Sequence, residues 1–222
     1  MYLYLAMVII VVALGAFSQA WARHVYAAYA DATAVRVSGS QMARRMLEAH
    51  ALGDVAIARV GGKLSDRYEP SSRTVCLSRA SYNGSGITAV TVSCHECGHA
   101  VQHQQGRRLL SVRSALYPCA RLFACAWAVV AIVGFALANN AICLCGIALL
   151  ALALLYQLIV LPTELEASGI ALEYLKDLGS LDASQLEGCE AVLRAAAFTY
   201  LSGALLGIVD LALRIAEFYI NP

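Results

Sequence analysis

The sequence predicts a mostly α-helical protein with several transmembrane helices and a small α+β domain. Of its 222 residues, 60% are hydrophobic and only 14% are charged, whereas soluble domains carry about 25% charged residues. The mean hydropathy is +0.65, and the apolar residues are concentrated in four long runs. We expect these runs to lie in a lipid bilayer. The net charge of +1 gives no indication of a nucleic-acid partner.

The four runs cover residues 1–21, 122–138, 141–161 and 195–213. A membrane-spanning helix needs about 20 apolar residues, a length that the first and third runs reach easily and the second nearly reaches. The first run lacks the basic start of a signal peptide and is too long for one, so we expect a retained helix. Asp210, Arg214 and Glu217 fall in or after the last run, which therefore either spans the membrane or lies along its surface.

These runs predict five segments. They are an N-terminal transmembrane helix (1–22), a polar segment (23–120), a transmembrane helical hairpin (121–161), a second polar segment (162–194) and a C-terminal transmembrane or interfacial helix (195–222). Because the hairpin crosses the membrane twice, both polar segments lie on the same side. Every Lys and Arg except Arg214 lies between Arg23 and Arg194. Basic residues near membrane ends favour the cytoplasm, so we expect both polar segments there.

Within the first polar segment, four stretches have recognisable patterns. "SGSQMARRMLEAHAL" has helical spacing, whereas "VAIARVGG" and "RTVCLS" are short, β-branched and typical of strands. "NGSGITAVTVSCHECGHAVQHQQG" is long enough for a helix, with Ser85 as its N-cap and Gly106 after its end.

The sequence "HECGH" within that helix has the HExxH pattern of zinc peptidases. Residues four apart on a helix share a face, so His95 and His99 can bind one zinc ion. Zinc lowers the pKa of a water molecule from 15.7 to about 7, and Glu96, beside the pair, is placed to take its proton. We therefore predict a Zn²⁺ cofactor and a small zincin-like α+β domain built on this helix.

A catalytic zinc usually has three protein ligands. His103 is too far along the helix, since eight residues at about 1.5 Å each give about 12 Å from His95. A carboxylate from the second polar segment is the better candidate, and "LPTELEASGIALEYL" offers Glu164 and Glu166 in a helix that Pro162 can begin. The two glutamates lie on different faces, and the pattern alone does not choose between them.

"HECGHAVQH" followed by "PTELEASGIAL" resembles the YugP-type neutral zinc membrane metallopeptidases of bacteria, and more distantly the HtpX-type membrane metalloproteases. The likeness extends through "SG" at Ser38–Gly39, "LSDRYEP", "VCLS" and "AAAFTYLSGAL". It implies His95, His99 and Glu164 as metal ligands and Glu96 as catalytic base, the gluzincin arrangement. Ser168 falls where the HtpX-type pattern has an aspartate, so no acid is available there to orient a ligand.

Together these features predict a multi-pass zinc metalloprotease of the bacterial inner membrane with a cytoplasmic site. Its substrates would be peptides or membrane-protein segments, paired with "RTVCLS" by strand addition. Tyr68, Tyr174 and His103 are candidate donors to the oxyanion. One alternative is a non-catalytic membrane scaffold with a structural zinc. A second is a membrane thiol oxidoreductase that uses Cys94 and Cys97, which have CxxC spacing.

Overall fold

The computed structural model describes residues 2–30, 37–137 and 139–220, with the side chains of 2–9, 11, 12, 135 and 217–220 excepted. Most of the described chain is helical. The seven helices are α1 (Tyr2–Ala28), α2 (Gly39–Ala49), α3 (Arg79–Asn83), α4 (Ile87–Gln104), α5 (Arg108–Ala136), α6 (Asn140–Asp177) and α7 (Ala183–Ile220). The strands are β1 (Ala56–Val60), β2 (Arg67–Glu69) and β3 (Thr74–Ser78).

The strands form one small sheet in the order β1-β3-β2. β3 pairs in parallel with β1 and antiparallel with β2, so the two predicted strands are present and a third, very short one joins them. Because both edges of β3 are occupied, the expectation that "RTVCLS" pairs with a substrate strand is wrong. β1 and β2 are the edge strands of this sheet.

α2 packs its apolar face onto α4. Ser38 and Gln41 form a capping box at its start, which satisfies two of the backbone N–H groups left free there. Met42, Met46 and Leu47 are fully buried. At Gly39 an added Cβ would lie 2.2 Å from the backbone oxygen of Ser81, so only glycine permits this close approach.

The predicted helix around "HECGH" is confirmed as α4, but its predicted N-cap is wrong. Gly86 is the N-cap and makes no side-chain capping bond. The glycine lies against the backbone of Ala30, where a Cβ would be 1.9 Å from the carbonyl oxygen, so packing determines where this helix begins. At the other end Gly106 has φ +66°, a conformation that glycine adopts without strain.

The chain divides into two units. The first, here called the site unit, comprises Ala20–Ser111 and Pro162–Phe198, and the second, the apolar unit, comprises Met1–Gln19, Val112–Leu161 and Thr199–Pro222. The core of the site unit lies between α2, α4, the sheet and the helical segments that follow Pro162, with Val75, Val90 and Leu175 completely buried.

The apolar unit contains long stretches of α5, α6 and α7. Three described helices are long and apolar enough to cross a membrane: Arg108–Gly134, Asn140–Asp177 and Ala183–Ala216. Their side chains are largely exposed, as at Ile132 with 68% of its surface accessible. α1 is a helix over the predicted N-terminal span, but most side chains of that span lie outside the described residues, so its insertion stays a prediction.

Two helix boundaries differ from expectation. Pro162 lies inside α6 and does not begin a new helix. The helix continues on both sides of it, although an interior proline removes one intrahelical hydrogen bond and its ring crowds the carbonyl four residues earlier. The last apolar run lies within α7, which begins twelve residues before it, at Ala183. Within the apolar unit Arg214 pairs with Asp210 at 3.5 Å and lies 5.6 Å from the centre of the Trp127 ring.

Candidate metal centre

α4 presents its two histidines on adjacent turns of one face. The ring centroids of His95 and His99 are 5.0 Å apart, as expected for residues four apart in a helix. Both side chains are largely shielded, with 11% and 4% of their surfaces accessible. Glu96, between them in sequence, is also buried.

The third member of the group comes from α6. Oε2 of Glu164 lies 3.2 Å from Nε2 of His95, and Oε1 lies 3.5 Å from Nε2 of His99. The Glu164 side chain is only 3% accessible. Of the two glutamates that the sequence left open, Glu164 is thus the one that faces both imidazoles.

A glycine brings these two helices together. A Cβ on Gly98 would lie 2.5 Å from the carbonyl oxygen of Ala167 and 3.1 Å from its Cα. Because both are backbone atoms, no side-chain adjustment could make room. The small residue at this position in "HECGH" allows α6 to approach closely enough for Glu164, one turn before Ala167, to reach the histidines.

The other ring nitrogens of the two histidines have different partners. Nδ1 of His95 is 3.2 Å from the Ser168 hydroxyl, and Nδ1 of His99 is 2.9 Å from Oε1 of Gln102. Both contacts leave Nε2 facing Glu164. The sequence had suggested that no acid at residue 168 could orient a ligand, and the structure shows that the Ser168 hydroxyl makes such a contact itself.

Glu166 belongs to a hydrogen-bonded chain behind His99. Its Oε2 accepts a bond of 2.8 Å from Nε2 of Gln102, and its Oε1 pairs with Arg107 at 2.9 Å. Nε2 of Gln102 also donates to the carbonyl oxygen of Thr163 at 3.0 Å. Gln102 was not predicted, although its position three residues after His99 on the same helix was a signal that could have found it.

The donor set of the three-residue group suits a divalent cation. One ligand atom from each of His95, His99 and Glu164 lies within 4.8 Å of the others, the only such group of three or more among the described residues. Neutral imidazole nitrogens and a carboxylate all offer lone pairs, and zinc takes this combination at about 2.0–2.2 Å. An imidazole nitrogen and a carboxylate oxygen that face one another can share either a proton or a metal ion, and this donor set fits a zinc ion.

His103 lies outside this group. Its Nδ1 is 2.8 Å from the Tyr68 hydroxyl, which joins α4 to the edge strand β2. Tyr174 packs its ring 6.0 Å from that of His50. Of the candidate oxyanion donors, Tyr68 and His103 therefore form one pair and Tyr174 lies against a different residue.

An additional tyrosine lies within electrostatic range of Glu96. Burial raises the pKa of Tyr26 to about 12, and the negative charge of Glu96 contributes in the same direction. Tyr26 is near the end of α1, and its carbonyl oxygen accepts a 2.9 Å hydrogen bond from the hydroxyl of Thr88 on α4. No pattern in the sequence had suggested this residue.

The thiols of "CHEC" are part of the core. Cys94 and Cys97 have no accessible surface, and burial raises the pKa of both. Cys97 donates a weak bond to the carbonyl oxygen of Ala43. A redox thiol needs access and thiolate character, so these observations contradict the thiol oxidoreductase alternative.

Helices apolar and long enough to cross a bilayer, combined with a buried His–His–Glu group that could hold a metal ion, are the features expected of a membrane metalloprotein. The chain belongs to the family described as "Putative neutral zinc metallopeptidase", which matches residues 4–218. A relative, the "Putative membrane protease YugP" of Bacillus subtilis (strain 168), is 35% identical over 184 residues, which cover 83% of this chain and 81% of the relative. No solved structure matches the chain.

Proposed function

We propose that this chain is a zincin-like, gluzincin-type metalloprotease of the bacterial inner membrane. In this proposal His95, His99 and Glu164 hold the zinc and Glu96 is the general base. The observation that carries it is the convergence of two Nε2 atoms on one buried carboxylate, 3.2 and 3.5 Å away. The family and the relative named a membrane protease support the same class of activity.

The chemistry follows from the positions of the side chains. A bound zinc ion supplies a Lewis acid that polarises the scissile carbonyl and acidifies water to a pKa of about 7. Glu96 accepts the proton of the attacking water and delivers it to the leaving amine. Because Glu96 is buried, little bulk water surrounds its carboxylate. The electrostatic interactions on which the proton transfer depends are therefore stronger than they would be in water.

An edge strand offers a place for the substrate backbone. β2 is an edge of the described sheet, and its Tyr68 reaches His103 on the helix that carries the zinc ligands. A peptide or an extended segment of a membrane protein that pairs with β2 lies alongside α4. His103, which is half-buried and hydrogen-bonded to the buried Tyr68, then offers its second ring nitrogen on the substrate side.

Membrane insertion is part of the proposal. We place spans at residues 1–22, 121–161 and 195–222, with segments 23–120 and 162–194 in the cytoplasm. The three long apolar helices and the distribution of Lys and Arg support this arrangement. Alkaline phosphatase fused at the Asn139–Asn140 turn should then be active, and the same enzyme fused after Gly106 should be inactive. The reverse pattern would place the site outside the cytoplasm.

Substitution of the base tests the activity. Purified Glu96→Gln should retain one zinc per chain and lose cleavage of fluorescent casein and of a membrane-anchored model substrate. The matched control is Glu173→Gln, an exposed glutamate on α6, which should cleave like the wild type. Equal turnover by Glu96→Gln and the wild type would exclude the role of Glu96.

Zinc stoichiometry tests the ligands and separates this proposal from a structural zinc scaffold. Glu164→Ala should lose zinc, whereas Glu166→Ala should still bind one ion when zinc is saturating. A structural zinc is closed by four protein ligands, and a catalytic one keeps a position open. The described residues bring three together, so spectroscopy of the cobalt-substituted protein should show a coordinated water. A fourth protein ligand would favour the scaffold.

A further inference from the structure

Gln102 makes three polar contacts in the interior of the site unit. Its side chain has no accessible surface. The amide oxygen lies 2.9 Å from Nδ1 of His99, and the amide nitrogen lies 3.0 Å from the Thr163 carbonyl oxygen and 2.8 Å from Oε2 of Glu166. All of these groups are on α4 and α6, within residues 20–111 and 162–198.

The contacts allow the amide only one orientation. The Thr163 carbonyl can only accept a hydrogen bond, and the Glu166 carboxylate pairs with Arg107 at 2.9 Å. Both therefore require the NH₂ group of Gln102. If the amide were turned over, its oxygen would face two acceptors, and the two hydrogen bonds that the NH₂ group donates to Thr163 and Glu166 would be lost. The amide oxygen must consequently point toward His99, and there it can only accept.

This orientation fixes the proton of His99. A neutral imidazole carries one hydrogen, on either nitrogen. Since Oε1 of Gln102 needs a donor, the hydrogen belongs on Nδ1, and Nε2 retains the lone pair that faces Oε1 of Glu164 at 3.5 Å. His95 differs, because the Ser168 hydroxyl at its Nδ1 can donate or accept and so accommodates either tautomer.

We propose that Gln102 is a positioning residue that holds His99 in the Nδ1–H tautomer required for metal binding, and that the Glu166–Arg107 pair keeps the Gln102 amide in the orientation that does so. The inference rests on the proposed zinc site, because it explains how one of that site's ligands is prepared. It also assigns a role to Glu166, which does not face the histidines: Glu166 orients the Gln102 amide.

The first test reads the tautomer directly. Long-range ¹H–¹⁵N spectra of metal-free, full-length protein in detergent resolve the ring nitrogens of its five histidines. The spectra are recorded on Glu164→Ala, because without a metal the Glu164 carboxylate, 3.5 Å from Nε2 of His99, is a second acceptor for the ring hydrogen. At a pH where the ring is neutral, His99 in this variant should carry its hydrogen on Nδ1, and addition of Gln102→Met, which keeps the length but makes no hydrogen bonds, should give a mixture. A His99 that carries its hydrogen on Nε2 in Glu164→Ala with Gln102 intact would overturn the proposal.

The second test measures zinc affinity by competition with a chelator. Loss of an outer hydrogen-bond partner typically costs about 10–100-fold in metal affinity, so Gln102→Met should bind zinc that much more weakly. Gln102→Glu alone should also bind weakly, because two carboxylates then face each other. Adding Glu166→Gln supplies an NH₂ group opposite the new carboxylate, so the double variant should recover part of the affinity, although the carboxylate still faces the Thr163 carbonyl oxygen. Glu173→Gln should bind like the wild type.

The two tests separate this inference from the proposed function. If Gln102→Met binds zinc like the wild type with an unchanged tautomer, or if the double variant recovers nothing, the positioning role is excluded while the zinc site remains. If the wild type binds no zinc although His99 of Glu164→Ala carries its hydrogen on Nδ1, the proposed function fails and the effect of Gln102 on the ring is supported.

Discussion

In two helix–helix contacts of this protein a glycine lies against the backbone of the neighbouring helix, but the surroundings of the two contacts differ. In the site unit Gly98 of α4 lies against the backbone of Ala167, and in the apolar unit Gly146 of α6 lies against the backbone of Ala131, where a Cβ would be 2.9 Å from its nitrogen. Around Gly98 are buried polar groups such as Gln102 and Glu164, whereas many apolar side chains of the other unit remain exposed. Close packing therefore brings the His95, His99 and Glu164 side chains together in one unit and only joins apolar helices in the other.

The largest expected effect is that of Gly98→Ala. The new methyl would lie 2.5 Å from a backbone oxygen, so α6 must move and Glu164 moves with it. We expect destabilisation by about 1–3 kcal/mol and loss of zinc from the purified protein. Zinc content and thermal unfolding in detergent would measure both. The control is Gly169→Ala on α6, where nothing lies within 4 Å and alanine should stabilise the helix by up to about 1 kcal/mol.

The same substitution in the apolar unit should affect stability alone. Gly146→Ala crowds Ala131 and should destabilise by about 1–3 kcal/mol, while zinc content and the rate of peptide cleavage per folded chain stay unchanged. Gly203→Ala is its control, because the new methyl would lie 3.6 Å from the nearest atom, Oε1 of Gln157. Loss of zinc from Gly146→Ala would show that close packing in the apolar unit also affects the proposed zinc site.

A smaller effect is expected from the charged pair in the apolar unit. Asp210 and Arg214 are 3.5 Å apart on α7. Side-chain hydrogen bonds within membranes contribute about 0.6 kcal/mol on average, so we expect a coupling free energy of that order from a double-mutant cycle of Asp210→Asn and Arg214→Gln. Equilibrium unfolding in mixed micelles would measure it. A coupling of zero would mean that the pair does not stabilise α7.

The smallest effect on chemistry is expected at the buried thiols. Cys94→Ala with Cys97→Ala removes both sulfur atoms beside His95 without burying a new polar group. Because neither thiol is accessible, zinc content and cleavage rate should match those of the wild type. A large loss of turnover with zinc retained would show that these cysteines contribute to the reaction.

Much of the site could be anticipated from short-range patterns. "HECGH" fixes two histidines on one helical face because the helix repeat is local, and the hydrophobic runs predict that the acid-bearing segment lies on the same side of the membrane. Short-range patterns could not decide whether Glu164 or Glu166 faces the histidines. The choice depends on how α6 rotates against α4, which is set by the backbone contact at Gly98 and Ala167.

The features that the sequence did not predict are the strand β2, the N-cap of α4 and the role of Gln102, and the last two depend on contacts with residues distant in the chain. β2 is three residues long, too short for an alternating pattern to be recognised. Ser85 has the chemistry of an N-cap, but Gly86 takes that place because it packs against Ala30. Gln102 looked like an ordinary polar residue near a helix end, and its importance appears only when Thr163 and Glu166 are seen beside it.

The separation of Glu164 from the histidines along the chain has a consequence for biosynthesis. A ribosome completes "HECGH" well before it reaches residue 164, and the sequence for the whole predicted transmembrane hairpin is translated in between. A nascent or prematurely terminated chain that ends in this interval holds both imidazoles and Glu96 but lacks the third donor. If the proposed zinc site is correct, such fragments are inert, and the cell is not exposed to proteolysis by unfinished copies.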